Sequence, residues 1–170
     1  GPPGRGEGGY FLCFGALAPY KRIDLAIDAF REFPGTLWVA GAGQDAERLS
    51  RSLPPNVKMV GNVSDEELPA LYRGARALIF PGVEDFGLTP IEAQASGRPV
   101  IAFAAGGALE TLSPDTAIYF ERQSRESLLA ALRTFDGFER TFDPERARAQ
   151  ALEFSRAAFF DGIRRELARL

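Results

Sequence analysis

The chain has no histidine, one cysteine (Cys13) and one methionine in 170 residues. Without histidine there is no imidazole base, no Ser-His-Asp arrangement and no imidazole metal ligand. A single cysteine inside an apolar run excludes a disulfide framework and a cysteine-based metal site. Lysine is nearly absent as well, since Lys21 and Lys58 stand against eighteen arginines. The net charge of −3 provides no broad electrostatic footprint for nucleic acid or an anionic membrane. Any phosphate must therefore be held locally. No apolar run approaches the roughly 18 residues of a membrane span, and no signal-peptide pattern is visible, so a cytoplasmic location is expected. No Asp-x-Asp triplet suited to a nucleotide-bound divalent ion occurs, and neither a metal nor a cofactor is expected.

What remains is globular in composition, with 45% hydrophobic and 25% charged residues. Residues 1–9, "GPPGRGEGG", read as a linker or an expression remnant in which nothing could pack. From residue 10 onward, apolar runs of strand length alternate with helical patterns. Strands are predicted at 10–15, 36–41, 57–61, 77–82, 98–104 and 117–121. Helices are predicted at 22–33, 45–53, 64–75, from Thr89 onward and at 126–135, with two more at the end. Ser64 and Glu67 form a capping-box pattern. Alternation of this kind, with near-continuous apolar strands, specifies a doubly wound α/β domain. Its parallel sheet has about six strands, with helices on both faces. Ligands of such domains lie beyond the carboxyl ends of the strands, so the loops there carry the function.

The first of these loops, "GALAPYKR", has neither GxGxxG nor GxxxxGK[ST]. It offers Gly15 and places Lys21 and Arg22 at a helix start. A cation there opposes the helix dipole unless an anion sits in front of it. A solvated charge pair remains the bland reading. Gly61 and Val63 flank a loop that could receive a flat base against backbone groups. The fourth loop runs "EDFGLTPIEAQASG", residues 84–97. Thr89, Pro90 and Glu92 match an N-cap, N1 and N3 set, which gives Glu92 a purely structural role as one alternative. The other alternative is a ligand role. Gly87 would let N–H groups turn toward a diphosphate at the helix mouth, while Glu84 and Glu92 could accept from vicinal diols. Gly106 and Gly107 form a second glycine pair facing the same space.

The run "EDFGLTPIEAQASGRPVIAFAAGGALE" resembles the E-x7-E region of family-4 retaining glycosyltransferases of the GT-B fold, the glycosyl transferases group 1. "GALAPYKRIDLAIDAF" resembles that family's strand-one loop, and "VGNVSDEELPALYRGARALIFPGVEDFG" its middle. The resemblance spans about residues 10–120 and continues more loosely to the end. "PYKR", "EDFG" and "GGALE" are most similar to the mannosyltransferase branch of polysaccharide and O-antigen assembly. The resemblance implies a Rossmann-like domain that forms one half of a GT-B fold, with residues 10–170 as the nucleotide-sugar (donor) domain. It implies a hexosyltransferase moving mannose from GDP-mannose to a glycan or lipid-linked acceptor, inactive as this isolated domain.

By the same resemblance, Glu84 would touch the donor sugar and Glu92 the ribose diol. Lys21 would face the diphosphate, and the backbone around Phe86, Gly87, Leu88 and Thr89 would cradle the distal phosphate and sugar. Ala16 stands where many members carry arginine, which leaves Arg22 as the cation that could compensate. The implied partners are a nucleotide-diphosphate sugar and an N-terminal acceptor-binding domain that this chain lacks, with no nucleic acid. Peripheral association with the inner membrane face would come through that absent half. The last helix carries Phe159, Phe160, Ile163, Leu167 and Leu170 along one stripe. Two other readings stay open: a GT-B relative that is not a transferase, such as a nucleotide-sugar epimerase, and a non-catalytic nucleotide-binding or interaction module.

Overall fold

The computed structural model describes residue 2 and residues 4–169. Gly1 and Pro3 of the N-terminal segment, and Leu170 of the terminal stripe, fall outside these described residues. Six parallel strands form one sheet: β1 (Tyr10–Phe14), β2 (Thr36–Ala40), β3 (Val57–Gly61), β4 (Ala75–Phe80), β5 (Val100–Phe103) and β6 (Ala117–Phe120). Their order is β3-β2-β1-β4-β5-β6. The order reverses between β1 and β4, which opens a crevice at the carboxyl ends of those two strands.

The helices are α1 (Ile23–Phe30), α2 (Ala46–Ser50), α3 (Leu68–Gly74), α4 (Leu88–Ala95), α5 (Ala108–Thr111), α6 (Arg125–Thr141), α7 (Pro144–Glu153) and α8 (Arg156–Leu167). Alternation along β1 divides the core. Phe11 and Cys13 join α1, α2 and α6 on one face, while Tyr10 and Leu12 join α3, α4 and α5 on the other. Phe11 is fully buried and meets Phe30, Phe33 and Phe135 edge to face, with centroids 5.6, 5.6 and 5.0 Å away. Edge-to-face pairs of this kind add about 0.5–1.5 kcal/mol each beyond the area they bury.

All six predicted strands form, within two residues at either end. The Ser64–Glu67 capping box also forms, with Glu67 N–H donating to Ser64 Oγ at 3.3 Å and Ser64 N–H to Glu67 Oε2 at 3.1 Å. Regular α3 nonetheless begins only at Leu68, because Pro69 has no N–H to bond the carbonyl of Asp65. The N-terminal segment differs from the unpacked reading that its composition suggests. Gly4 is buried, its N–H donates to Ser96 O at 2.9 Å, and its carbonyl accepts from Arg98 Nη1 at 2.9 Å. Gly6 and Gly8 donate to Arg73 O and Gly74 O. Glycine permits this, since a Cβ on Gly4 would stand 2.4 Å from the Arg73 carbonyl oxygen. The buried guanidinium of Arg98 is what a composition count cannot see: it donates to the Gly4 carbonyl, while the glycine N–H groups of the segment supply its other bonds.

Candidate functional site

Two loops meet at the crevice, one from β1 and one from β4. The β1 loop turns through a short 3-10 segment, Pro19–Lys21, and then through Arg22 at φ 53° and ψ 36°. Arg22 is the one non-glycine with positive φ among the described residues. A left-handed conformation costs an ordinary residue about 1–2 kcal/mol. This turn aims Lys21 across the crevice, where its ammonium pairs with the carboxylate of Glu84 from the β4 loop. The two side chains are only 12% and 20% exposed. Gly82 makes the approach possible, since a Cβ there would lie 2.7 Å from Tyr20 O and 2.8 Å from Lys21 Cα. Gly15 borders the same place, 3.9 Å from Lys21 Nζ at its missing Cβ.

The anion in front of Lys21 is thus supplied by the chain itself. Arg22 does something else: its Nε donates to Asp24 Oδ1 at 3.2 Å, in the first turn of α1. It is not brought against Glu84, so the structure gives no sign that it replaces the arginine missing at Ala16.

The β4 loop then enters α4 through Gly87, at φ 77° and ψ 81°, with no side-chain cap. The capping reading of this helix start is therefore overturned. Gly87 occupies the N-cap, which puts Leu88, Thr89 and Pro90 in the first turn and Glu92 beyond the N3 position that a capping box requires. Pro90 is still tolerated because a first-turn residue needs no intrahelical donor. Thr89 Oγ1 is buried without a hydrogen-bond partner. Phe86 and Leu88 stay exposed at the mouth, with Phe86 edge-on to Phe154 at 5.9 Å.

Glu92 finds a different partner. Its Oε2 accepts from the hydroxyl of Tyr72 on α3, at 2.8 Å. Burial first, and then the adjacent Glu92 carboxylate, push the Tyr72 phenol far above its usual range, with Glu84 adding to the effect. Tyr72 also packs edge to face on Phe14, the last residue of β1, at 5.8 Å. A hollow of about 470 Å³ opens between α3 and α4, lined by Tyr72, Glu92, Asp65, Leu68, Pro69 and Ser96 among others.

The remaining candidates fall into two groups. Gly106 and Gly107 support the acidic loop from behind: Gly107 N–H donates to Glu84 O at 2.8 Å, and a Cβ on Gly106 would sit 2.5 Å from that same oxygen. Gly61 ends β3 and Val63 follows it, two strands away from β1 and its Lys21 loop. Val63 lines a separate hollow of about 440 Å³ with Tyr10 and Trp38, whose rings stack at 3.9 Å. Tyr72 was not singled out in the sequence. The signal available was a tyrosine within a helix pattern, whose hydroxyl must find a partner once the ring is buried.

Among the described residues, no helix is long and apolar enough to cross a membrane. The family model for glycosyl transferases group 1 matches residues 3–135. The O-antigen chain mannosyltransferase RfbU of Salmonella typhimurium is 31% identical over 136 residues, covering 75% of this chain and 38% of RfbU. The mannosylfructose-phosphate synthase of Agrobacterium fabrum is 36% identical over 126 residues, covering 63% of this chain and 28% of the synthase. In three dimensions the chain matches Anabaena HepE, solved in complex with UDP and glucose, at a TM-score of 0.78 and 24% identity. That match covers 98% of this chain and 50% of HepE, so the chain spans half or less of each of these three proteins. With a six-stranded Rossmann-like sheet shared with GT-B enzymes and a family match over most of its length, this chain belongs to the glycosyl transferases group 1.

Proposed function

We propose that the crevice between β1 and β4 is the donor site of a retaining hexosyltransferase, taking mannose from GDP-mannose. The Lys21–Glu84 pair carries this reading, because it sets one cation and one carboxylate at the topological switch point, beside an uncapped helix. A diphosphate arriving there would take over the ammonium of Lys21 and meet the free N–H groups at the start of α4. Glu84, released from Lys21, would accept from the sugar hydroxyls, and Glu92 from the ribose diol. Reaction would break the bond between the anomeric carbon and the diphosphate oxygen. An acceptor hydroxyl would form its new bond on the same face and pass its proton to the departing diphosphate oxygen, with the remaining leaving charge held by Lys21 and the helix mouth. Mannose is favoured by the names of RfbU and the mannosylfructose-phosphate synthase.

On this reading the acceptor is read by a second domain, any membrane contact belongs to that domain, and these 170 residues bind donor without transferring sugar. No metal takes part. Calorimetry with GDP, UDP and ADP, in magnesium and in EDTA, tests the proposal. One nucleoside diphosphate should bind with an affinity unchanged by EDTA. Glu84→Gln should weaken the sugar nucleotide and leave the nucleoside diphosphate nearly intact. Absence of binding by all three would favour an interaction module, and strict metal dependence would refute the mechanism.

A further inference from the structure

The Tyr72–Glu92 hydrogen bond is not explained by folding alone. A buried tyrosine hydroxyl needs an acceptor, and a backbone carbonyl serves that purpose elsewhere in this molecule: Tyr10 donates to Leu71 O at 2.7 Å. Tyr72, 2% exposed, instead spends its proton on one oxygen of a partly exposed carboxylate at the edge of the α3–α4 hollow. Glu92 Oε1 has no hydrogen-bond partner among the described residues. A glutamate on an exposed helix face samples several rotamers, and ordering one costs up to about 2 kcal/mol of side-chain entropy. The phenol removes that freedom before any ligand arrives. Its ring is fixed in turn by Phe14, whose next residue begins the Lys21 loop.

We propose that Tyr72 is a positioning residue that holds Glu92 by Oε2, so that Oε1 is presented to a vicinal diol, and that it thereby sets the preference for ribonucleotides. The proposal rests on the donor-site reading and adds to it the residue that orients Glu92 toward the ribose. The phenol stays protonated through the working pH range, because burial and the neighbouring carboxylate both oppose its ionisation. The bond is therefore available wherever Glu92 is ionised.

The test compares GDP with 2′-deoxy-GDP, and UDP with 2′-deoxy-UDP, by calorimetry on the wild-type chain and on Tyr72→Phe, Glu92→Gln and Glu92→Asp. The wild type should prefer the ribonucleotide. Tyr72→Phe, which removes one oxygen and keeps the ring, should reduce that preference about fivefold, the worth of one neutral-to-moderate hydrogen bond. Affinity for the deoxynucleotide should be unchanged. Glu92→Asp, which withdraws the carboxylate from the phenol while Tyr72 stays intact, should lose the preference as well and keeps the test alive if Tyr72→Phe fails to fold. Equal losses for ribo- and deoxynucleotide in Tyr72→Phe would assign the tyrosine to packing and overturn the proposal. So would an unchanged preference in either Tyr72→Phe or Glu92→Asp. A wild type that binds no nucleotide would overturn the donor-site reading together with it, whereas a wild type that binds with no ribose preference would overturn this inference alone.

Discussion

The helices beside the crevice begin differently from those that close the chain. α6, α7 and α8 each start with a side-chain cap: Ser124 accepts from Ser127 N–H, Asp143 from Glu145 N–H, and Ser155 from Ala158 N–H. α1 and α4, which flank the switch point, start with left-handed residues, Arg22 and Gly87, and have no side-chain cap. A cap satisfies an orphan N–H and is worth about 0.5–2 kcal/mol. The N-cap residues of α2, α3 and α5 also make no side-chain cap bond, but at α1 and α4, which face one crevice, the missing cap leaves donors unmatched where an anion would match them. The last three helices are built for stability, whereas the two crevice helices keep their first turns open.

The largest effect is expected at the ion pair that bridges the two crevice loops. Lys21→Ala strands a mostly buried Glu84 carboxylate, so stability should fall by about 1.5–3 kcal/mol in urea denaturation. Adding Glu84→Gln should recover much of the loss. A neutral Lys21→Ala would mean that the two side chains are joined only loosely. Gly87→Ala comes next. Its φ of 77° should cost about 1–2 kcal/mol, aggravated by a Cβ 3.3 Å from Phe80 Cζ.

Most of the architecture was legible because it follows from short-range physics. Apolar strands such as "YFLCF" and the face of α1 could be read directly, and the strand–helix alternation dictated the parallel sheet. The loops after β1 and β4 were also found, and they meet. What could not be read depends on contacts between residues far apart in sequence. Thr89-Pro90-Ile91-Glu92 fits a cap by local pattern, but the left-handed turn at Gly87 moves the helix start upstream and Tyr72 takes Glu92 away. Lys21 looked like an uncompensated cation because Glu84 is 63 residues away in sequence. The glycines of "GPPGRGEGG" looked like linker because Arg98, which binds Gly4 O, is 94 residues away.

A smaller effect sharpens the comparison between capped and open helices. Ser124→Ala should cost about 1 kcal/mol, the ordinary worth of a cap. Thr89→Val keeps the shape and deletes a buried hydroxyl without a partner, so it should be neutral or slightly stabilising. Equal losses in thermal melts of the two variants would erase the distinction between the helix starts. The smallest effect concerns pH. The Tyr72 phenol is raised in the folded state above its ordinary value of 10.0. Between the unfolded and folded values the native state therefore binds the extra proton, and stability should decline as pH rises above about 10. Tyr72→Phe should flatten that decline. The last three helices contain no tyrosine, so no matching alkaline sensitivity should arise there.

The central claim is that the crevice of the β1 and β4 loops is where a nucleoside diphosphate binds. Amide shift mapping by nitrogen-15 NMR, titrating GDP and UDP into the 170-residue chain, tests it most directly. The account predicts that one nucleotide shifts the amides of residues 15–22 and 84–92, those at the start of α4 most of all, and spares residues 125–167. Shifts concentrated on α6 to α8, or no shifts with either nucleotide, would contradict it.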